Sequence, residues 1–174
     1  LVTGEYSQNG SSRYLDCICD TLRRHGYEIY AVQYIPDRGQ ISRFWDKDFY
    51  IKKLAHGRGG HGAGLTEKDI GSVLPEFLRN LTHRLDFDIV VANYVFLSWV
   101  LVDIDLNLFK MIITHDAFTN RKNMSDDISN TGIALTAQHE SMGLSRADLV
   151  VAITDDDRHH FVEQLNQAEV ITFP

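Results

Sequence analysis

Cysteine is almost absent from this sequence: Cys17 and Cys19 are the only two in 174 residues. They lie two apart in a stretch that reads as helix, where such neighbours point to different sides, so they are expected to form neither a disulfide nor a metal pair. Their scarcity fits a reducing, cytoplasmic compartment. A long hydrophobic run is also missing. The longest apolar stretch, residues 87–102, is broken by Asp88, Asn93 and Ser98 and falls short of the roughly 20 apolar residues that cross a bilayer. No spanning helix is expected, and a peripheral contact with a membrane surface stays open. Positive charge is in deficit. A formal net charge of -7 argues against nucleic acid as a partner, because that affinity comes from clustered Lys and Arg displacing counterions. Leu1-Val2-Thr3-Gly4 reads as the tail of a strand, with no signal peptide expected before it. At the other end Val170-Ile171-Thr172-Phe173 stops at Pro174, as a strand entering a linker would. The chain is therefore expected to be part of a longer protein.

What is present fits one globular domain over residues 1–174, since 44% hydrophobic and 24% charged residues suffice for one substantial core. Residues 12–25 carry Leu15, Ile18, Cys19 and Leu22 at helical spacing, with Gly26 placed as a C-terminal cap. Residues 27–35 are β-branched and aromatic and end at Pro36, which predicts a strand. Residues 37–64 are less regular, and their Gly/His-rich end, residues 56–64, is expected to be a mobile loop. Thr66 and Asp69 predict a helix start. That helix should run to Arg84 and bury Ile70, Val73, Leu74, Phe77, Leu78 and Leu81. Strands are then expected at residues 87–92, 109–114, 149–153 and 170–173, and helices at 95–105, 131–145 and 155–166. The alternation predicts an α/β domain with a Rossmann-like, doubly wound, mainly parallel sheet.

In such a sheet ligands bind beyond the carboxyl ends of the strands, and here those positions are polar. Gly10, Ser11, Ser12 and Arg13 follow the first strand, Asn93 and Tyr94 a middle one, Thr114, His115 and Asp116 the next, and Thr154 and Asp155 the one after. These loops are expected to converge on one edge. A glycine-serine run opening a helix offers backbone N–H groups and a positive dipole end to an anion, and equally reads as a simple helix cap. It is neither a dinucleotide fingerprint nor a P-loop. His115 is suited to donate to a phosphate or a sugar hydroxyl, and equally to a structural role. Asp116 and Arg121 read as candidates for the site or as a surface ion pair of little worth. His56 and His61 lack a nearby Cys or acid and are not a zinc signature. His159 and His160, adjacent on a helix, are expected to be solvated, and Asp155, Asp156 and Asp157 suit a helix N-terminus. No metal and no cofactor is expected.

Taken in order, Val2-Thr3-Gly4-Glu5-Tyr6, the Gly10-Ser11-Ser12-Arg13 turn, Asp88-Ile89-Val90-Val91-Ala92-Asn93-Tyr94, Thr114-His115-Asp116 with Arg121, and Arg146-Ala147-Asp148-Leu149-Val150-Val151-Ala152-Ile153-Thr154 resemble the glycosyltransferase family 4-like N-terminal domain. The resemblance spans nearly the whole chain. It implies one half of a GT-B fold, in which the N-terminal domain mostly holds the acceptor and a C-terminal domain, not in this chain, holds the nucleotide-sugar donor. It implies that Gly10, Ser11, Ser12 and Arg13 lie near the donor phosphates, that His115 is the catalytic histidine reaching the donor sugar, and that Asn93, Tyr94, Asp116 and Arg121 line the acceptor side. The family's paired donor-side glutamates are absent, as no two glutamates here lie eight positions apart.

The resulting expectation is sugar transfer from a nucleotide-sugar donor to a glycan, lipid or small-molecule acceptor, with retention and without a metal. The chain alone is expected to be inactive. Half of a nucleotide-sugar epimerase-like GT-B enzyme and a non-catalytic sugar- or nucleotide-binding domain are the alternatives, since fold does not decide among them.

Overall fold

A computed structural model describes residues 1–3, 10–35, 41–52, 72–102, 104–105, 107–117, 119, 136–165 and 168–173. The chain divides into two compact units, Leu1–Ala55 and His56–Pro174, each an assembly of parallel strands and helices.

In the first unit, β1 (Val2–Thr3), α1 (Gly10–Arg24) and β2 (Tyr30–Ile35) form a β-α-β motif. Helix α1 buries Ser12, Leu15, Ile18 and Cys19, a stripe three to four residues apart as a helix with one covered face requires. Cys17 is exposed on the other side, and both cysteines are free. The helix ends in a Schellman motif: Gly26 N–H donates to the Arg23 carbonyl at 2.9 Å and Tyr27 N–H to that of Leu22 at 3.2 Å. Gly26 sits at φ 91°, where a side chain is strained.

That exit shortens the next strand. Tyr27 and Glu28 are exposed, and β2 begins at Tyr30 instead of residue 27. Just before it, Ile29 N–H donates to Asp46 Oδ2 at 2.7 Å, and Asp46 N–H donates back to the Ile29 carbonyl at 2.8 Å. Asp46 also pairs with Arg23. The bond from Ile29, with Arg23 in support, holds the Asp46 carboxyl below its usual range.

The largest departure from the sequence reading is β3 (Lys47–Lys52), which lies in a stretch expected to be irregular. It pairs in parallel with β2 over six residues, from Tyr30 against Lys47 to Ile35 against Lys52. Its lysines at both ends suit the outer position in the order β3-β2-β1, and they also disguise it in the sequence.

In the second unit the strands β4 (Ile89–Asn93), β5 (Phe109–Ile113), β6 (Leu149–Ala152) and β7 (Glu169–Thr172) are parallel and adjacent in chain order. Val90, Val91, Ala92 and Asn93 are buried in succession, as are Val150, Val151 and Ala152. Unbroken burial is what a parallel strand covered on both faces requires. Helix α2 (Val73–Arg84) buries Leu74, Pro75 and Leu78. Val73, expected inside, is 55% exposed because the described helix opens there and its covered face starts one residue later. Thr66, Asp69 and Ile70 lie outside the described residues.

After β4 the short helix expected from residue 95 is a 3-10 helix, Val95–Leu101. Helix α3 (Ala137–Leu144) opens on Thr136, whose hydroxyl accepts from His139 N–H at 3.2 Å. Helix α4 (Asp155–Gln164) opens in the same way on Thr154, with three acids in its first turn where they complement the dipole. Ile112, Val150, Ala152, Leu144 and Phe161 are fully covered and form the centre of this unit.

Candidate functional site

The last residue of β4, Asn93, stands opposite Ile113, the last residue of β5. Parallel pairing therefore places whatever follows these strands at neighbouring positions. Tyr94 N–H donates to the Ile113 carbonyl at 2.8 Å, and Thr114 N–H to that of Val151 at 2.9 Å. The Thr114 hydroxyl donates to the same Val151 carbonyl at 3.1 Å. These bonds carry the ladder just past the strand ends and leave little freedom to His115.

His115 is 5% exposed and Asn93 4%. Nε2 of the imidazole and Oδ1 of Asn93 are 2.7 Å apart, so the ring nitrogen donates and the amide oxygen accepts. Tyr94 covers the pair, its ring 4.2 Å from that of His115 and stacked on Phe96 at 4.8 Å. Burial pushes the His115 imidazole down from 6.5 to about 4, so it is neutral at physiological pH. Its N–H is committed to Asn93, and in the neutral ring Nδ1 carries the lone pair. Nε2 thus faces Asn93, and Nδ1 is shielded from solvent.

The backbone holding this group is strained. Tyr94 has φ 78° and ψ 142°, a region that costs a non-glycine residue about 1–3 kcal/mol. Downstream, Ala117 N–H donates to Asp157 Oδ1 at 3.2 Å, while Asp157 Oδ2 accepts from the Thr154 hydroxyl at 2.6 Å. The start of α4 thus anchors the segment carrying His115 and Asp116. Asp116 is half-buried.

Asn93, Tyr94 and His115 are brought together; Arg121, His56, His61 and the rest of residues 56–64, expected to be a mobile loop, lie outside the described residues. Gly10, Ser11, Ser12 and Arg13 open α1 in the first unit, where no acid occupies the first turn. Among the described residues nothing lies within 4 Å of the place where a Cβ on Gly10 would stand. Among the described residues no group of three or more His, Cys, Asp or Glu is arranged to hold a metal ion, and no helix is long and apolar enough to cross a membrane.

Sequence reasoning missed a second polar cluster. Glu140 is 1% exposed and accepts from the Thr119 hydroxyl at 2.5 Å, with His160 Nε2 at 3.6 Å. His160 also lies 2.9 Å from Thr119 Oγ1 and 2.6 Å from Gln164 Nε2. His160 is thus not solvated as expected, whereas His159 is exposed. Arg146, half-buried, donates to Ser98 Oγ at 2.9 Å and stacks over Trp99. Neither group had a sequence signal, because each joins residues from segments far apart in the chain.

No protein-family model and no curated protein matches the sequence. Among solved structures, sucrose-phosphate synthase from Thermosynechococcus elongatus superposes with a TM-score of 0.67 at 14% identity, over 99% of this chain and 44% of that one. A second sucrose-phosphate synthase structure from that organism superposes with a TM-score of 0.56 at 11% identity, over 100% of this chain and 88% of that one. The chain has a Rossmann-like GT-B fold. It spans less than half of the first enzyme's length. At such low identity a GT-B likeness reports the layering of strands and helices and leaves the chemistry to the site.

Proposed function

We propose that this chain is the N-terminal, acceptor-side domain of a family 4-type glycosyltransferase that moves a sugar from a nucleotide-sugar donor to a hydroxyl acceptor, with retention and without a metal. The observation that carries the reading is the buried Asn93–His115 pair at the ends of two adjacent parallel strands, in a GT-B fold. A neutral imidazole anchored through Nε2 accepts a hydrogen bond from a sugar hydroxyl through Nδ1 and fixes that sugar's orientation, a contribution made by positioning. Tyr94 supplies an aromatic face beside it. The backbone amides at Gly10, Ser11 and Ser12, with Arg13, are assigned to the donor phosphates, as a helix N-terminus favours anions. The charge developing on the departing nucleoside diphosphate needs cations aimed at it, which the reading assigns to a C-terminal domain.

The test is a sugar-transfer assay on the full-length protein beside calorimetric titration of this chain with nucleoside diphosphate sugars. The full-length protein should transfer sugar, His115→Ala should lower turnover about 10²-fold, and this chain alone should be inactive and bind donors weakly. Tight donor binding by this chain would place the donor on the wrong domain. Full activity of His115→Ala would remove the histidine from the site. Interconversion of donor epimers without transfer would favour an epimerase.

A further inference from the structure

The Asn93–His115 contact does more than bury two polar groups. A histidine that shuttles protons is usually backed by a carboxylate, whose charge supports the imidazolium. Here the partner is a neutral amide at 2.7 Å, and both side chains are almost fully covered. The amide carries no net charge to offset the burial of a positive ring, and its carbonyl oxygen, an acceptor, requires a proton on Nε2. Tyr94 packs against the imidazole at a centroid distance of 4.2 Å, and its backbone N–H bond to Ile113 pins the residue next to Asn93. Rotation of the ring is blocked on that side, so the amide decides which nitrogen carries the proton.

We infer that Asn93 is a positioning residue, and not an acceptor-lining one: its side-chain carbonyl locks His115 in the Nε2–H tautomer and places the lone pair on Nδ1. The effect of Asn93 on turnover rests on the glycosyltransferase reading; the tautomer itself does not.

The decisive measurement is long-range proton–nitrogen NMR of the side-chain imidazoles in this chain at neutral pH, with the His115 signals assigned by their loss in His115→Gln. The nitrogen coupled to both ring carbon-bound protons, Nε2, should show the protonated-type shift, and Nδ1 the lone-pair-type shift. Asn93→Leu should abolish this pattern and give the other tautomer or a mixture. Should Asn93→Leu not fold, Asn93→Ser, which shortens the reach to Nε2, replaces it with the same two outcomes. An Nδ1–H ring in the unaltered chain, or an unchanged pattern in the folded Leu or Ser variant, overturns the inference. In the full-length protein, Asn93→Ser should lower kcat about 10- to 100-fold, as for other groups that orient an imidazole, with less effect on KM. Absence of transfer by the unaltered full-length protein sinks the proposed function and leaves the tautomer result standing, so the two failures are distinguishable.

Discussion

The Tyr94 ring lies 4.2 Å from that of His115, and the residue that presents it holds a backbone conformation, φ 78°, that side chains rarely adopt. Strain at the end of β4 thus coincides with a contact that covers the histidine. Non-glycine residues at such angles persist where surrounding structure over-determines them. Here the Tyr94 N–H bond to Ile113 and the stack on Phe96 supply that constraint.

This geometry predicts an inverted order of stabilities. Alanine normally surpasses glycine because glycine loses more chain freedom on folding, but at position 94 alanine keeps the strain while glycine relieves it. Both variants lose the ring. Tyr94→Gly should therefore be more stable than Tyr94→Ala by about 1 kcal/mol in urea denaturation. Equal stabilities, or alanine ahead, would show that the positive φ is not held in solution.

A second prediction concerns pH. The His115 pKa falls from 6.5 to about 4 on folding, so between those values the unfolded chain binds more protons than the folded one, and stability must rise with pH across that window. Its contribution is complete above about pH 6.5 and is lost as pH drops toward 4, amounting to about 3 kcal/mol if no other group compensates. His115→Gln should flatten this slope in denaturation curves taken from pH 7 to 4. A slope unchanged by the substitution would assign the acid sensitivity to other groups.

Asp46 links three segments of the first unit through Ile29 N–H and Arg23. Losing the backbone acceptor in Asp46→Ala should cost about 1 kcal/mol. Arg23→Ala should cost less, since an exposed ion pair contributes about 0.2–1 kcal/mol. A double-mutant cycle separates the two. Because folding depresses this carboxyl's pKa, its contribution is present above the ordinary aspartate range and fades as pH falls through the lower folded value.

At Gly26 the prediction isolates conformation from packing. Among the described residues a Cβ would meet nothing within 4 Å, yet φ is 91°. Gly26→Ala should therefore lower stability by about 1 kcal/mol through backbone strain alone, and Gly26→Asn by less, since asparagine tolerates the left-handed region better. Thermal denaturation of both variants checks the order.

The sequence alone determined the alternation of strands and helices, the apolar stripe of α1 at Leu15, Ile18 and Cys19, and the stop at Gly26. All of these depend on residues a few positions apart, where periodicity and turn chemistry act. It also pointed to the positions after β4 and β5, because strand ends are legible as the places where apolar runs give way to polar residues. It did not reveal β3, whose Lys47 and Lys52 mask a short edge strand that exists through pairing with β2. Nor did it show that Asn93 faces His115 across 22 positions, or that Glu140, Thr119 and His160 share one buried cluster. Those relationships come from register between parallel strands and from helices packed beside them. Tertiary structure alone decided that His115 is a buried, neutral, amide-anchored ring, because a desolvated environment and a specific hydrogen-bond partner are properties of the assembled fold.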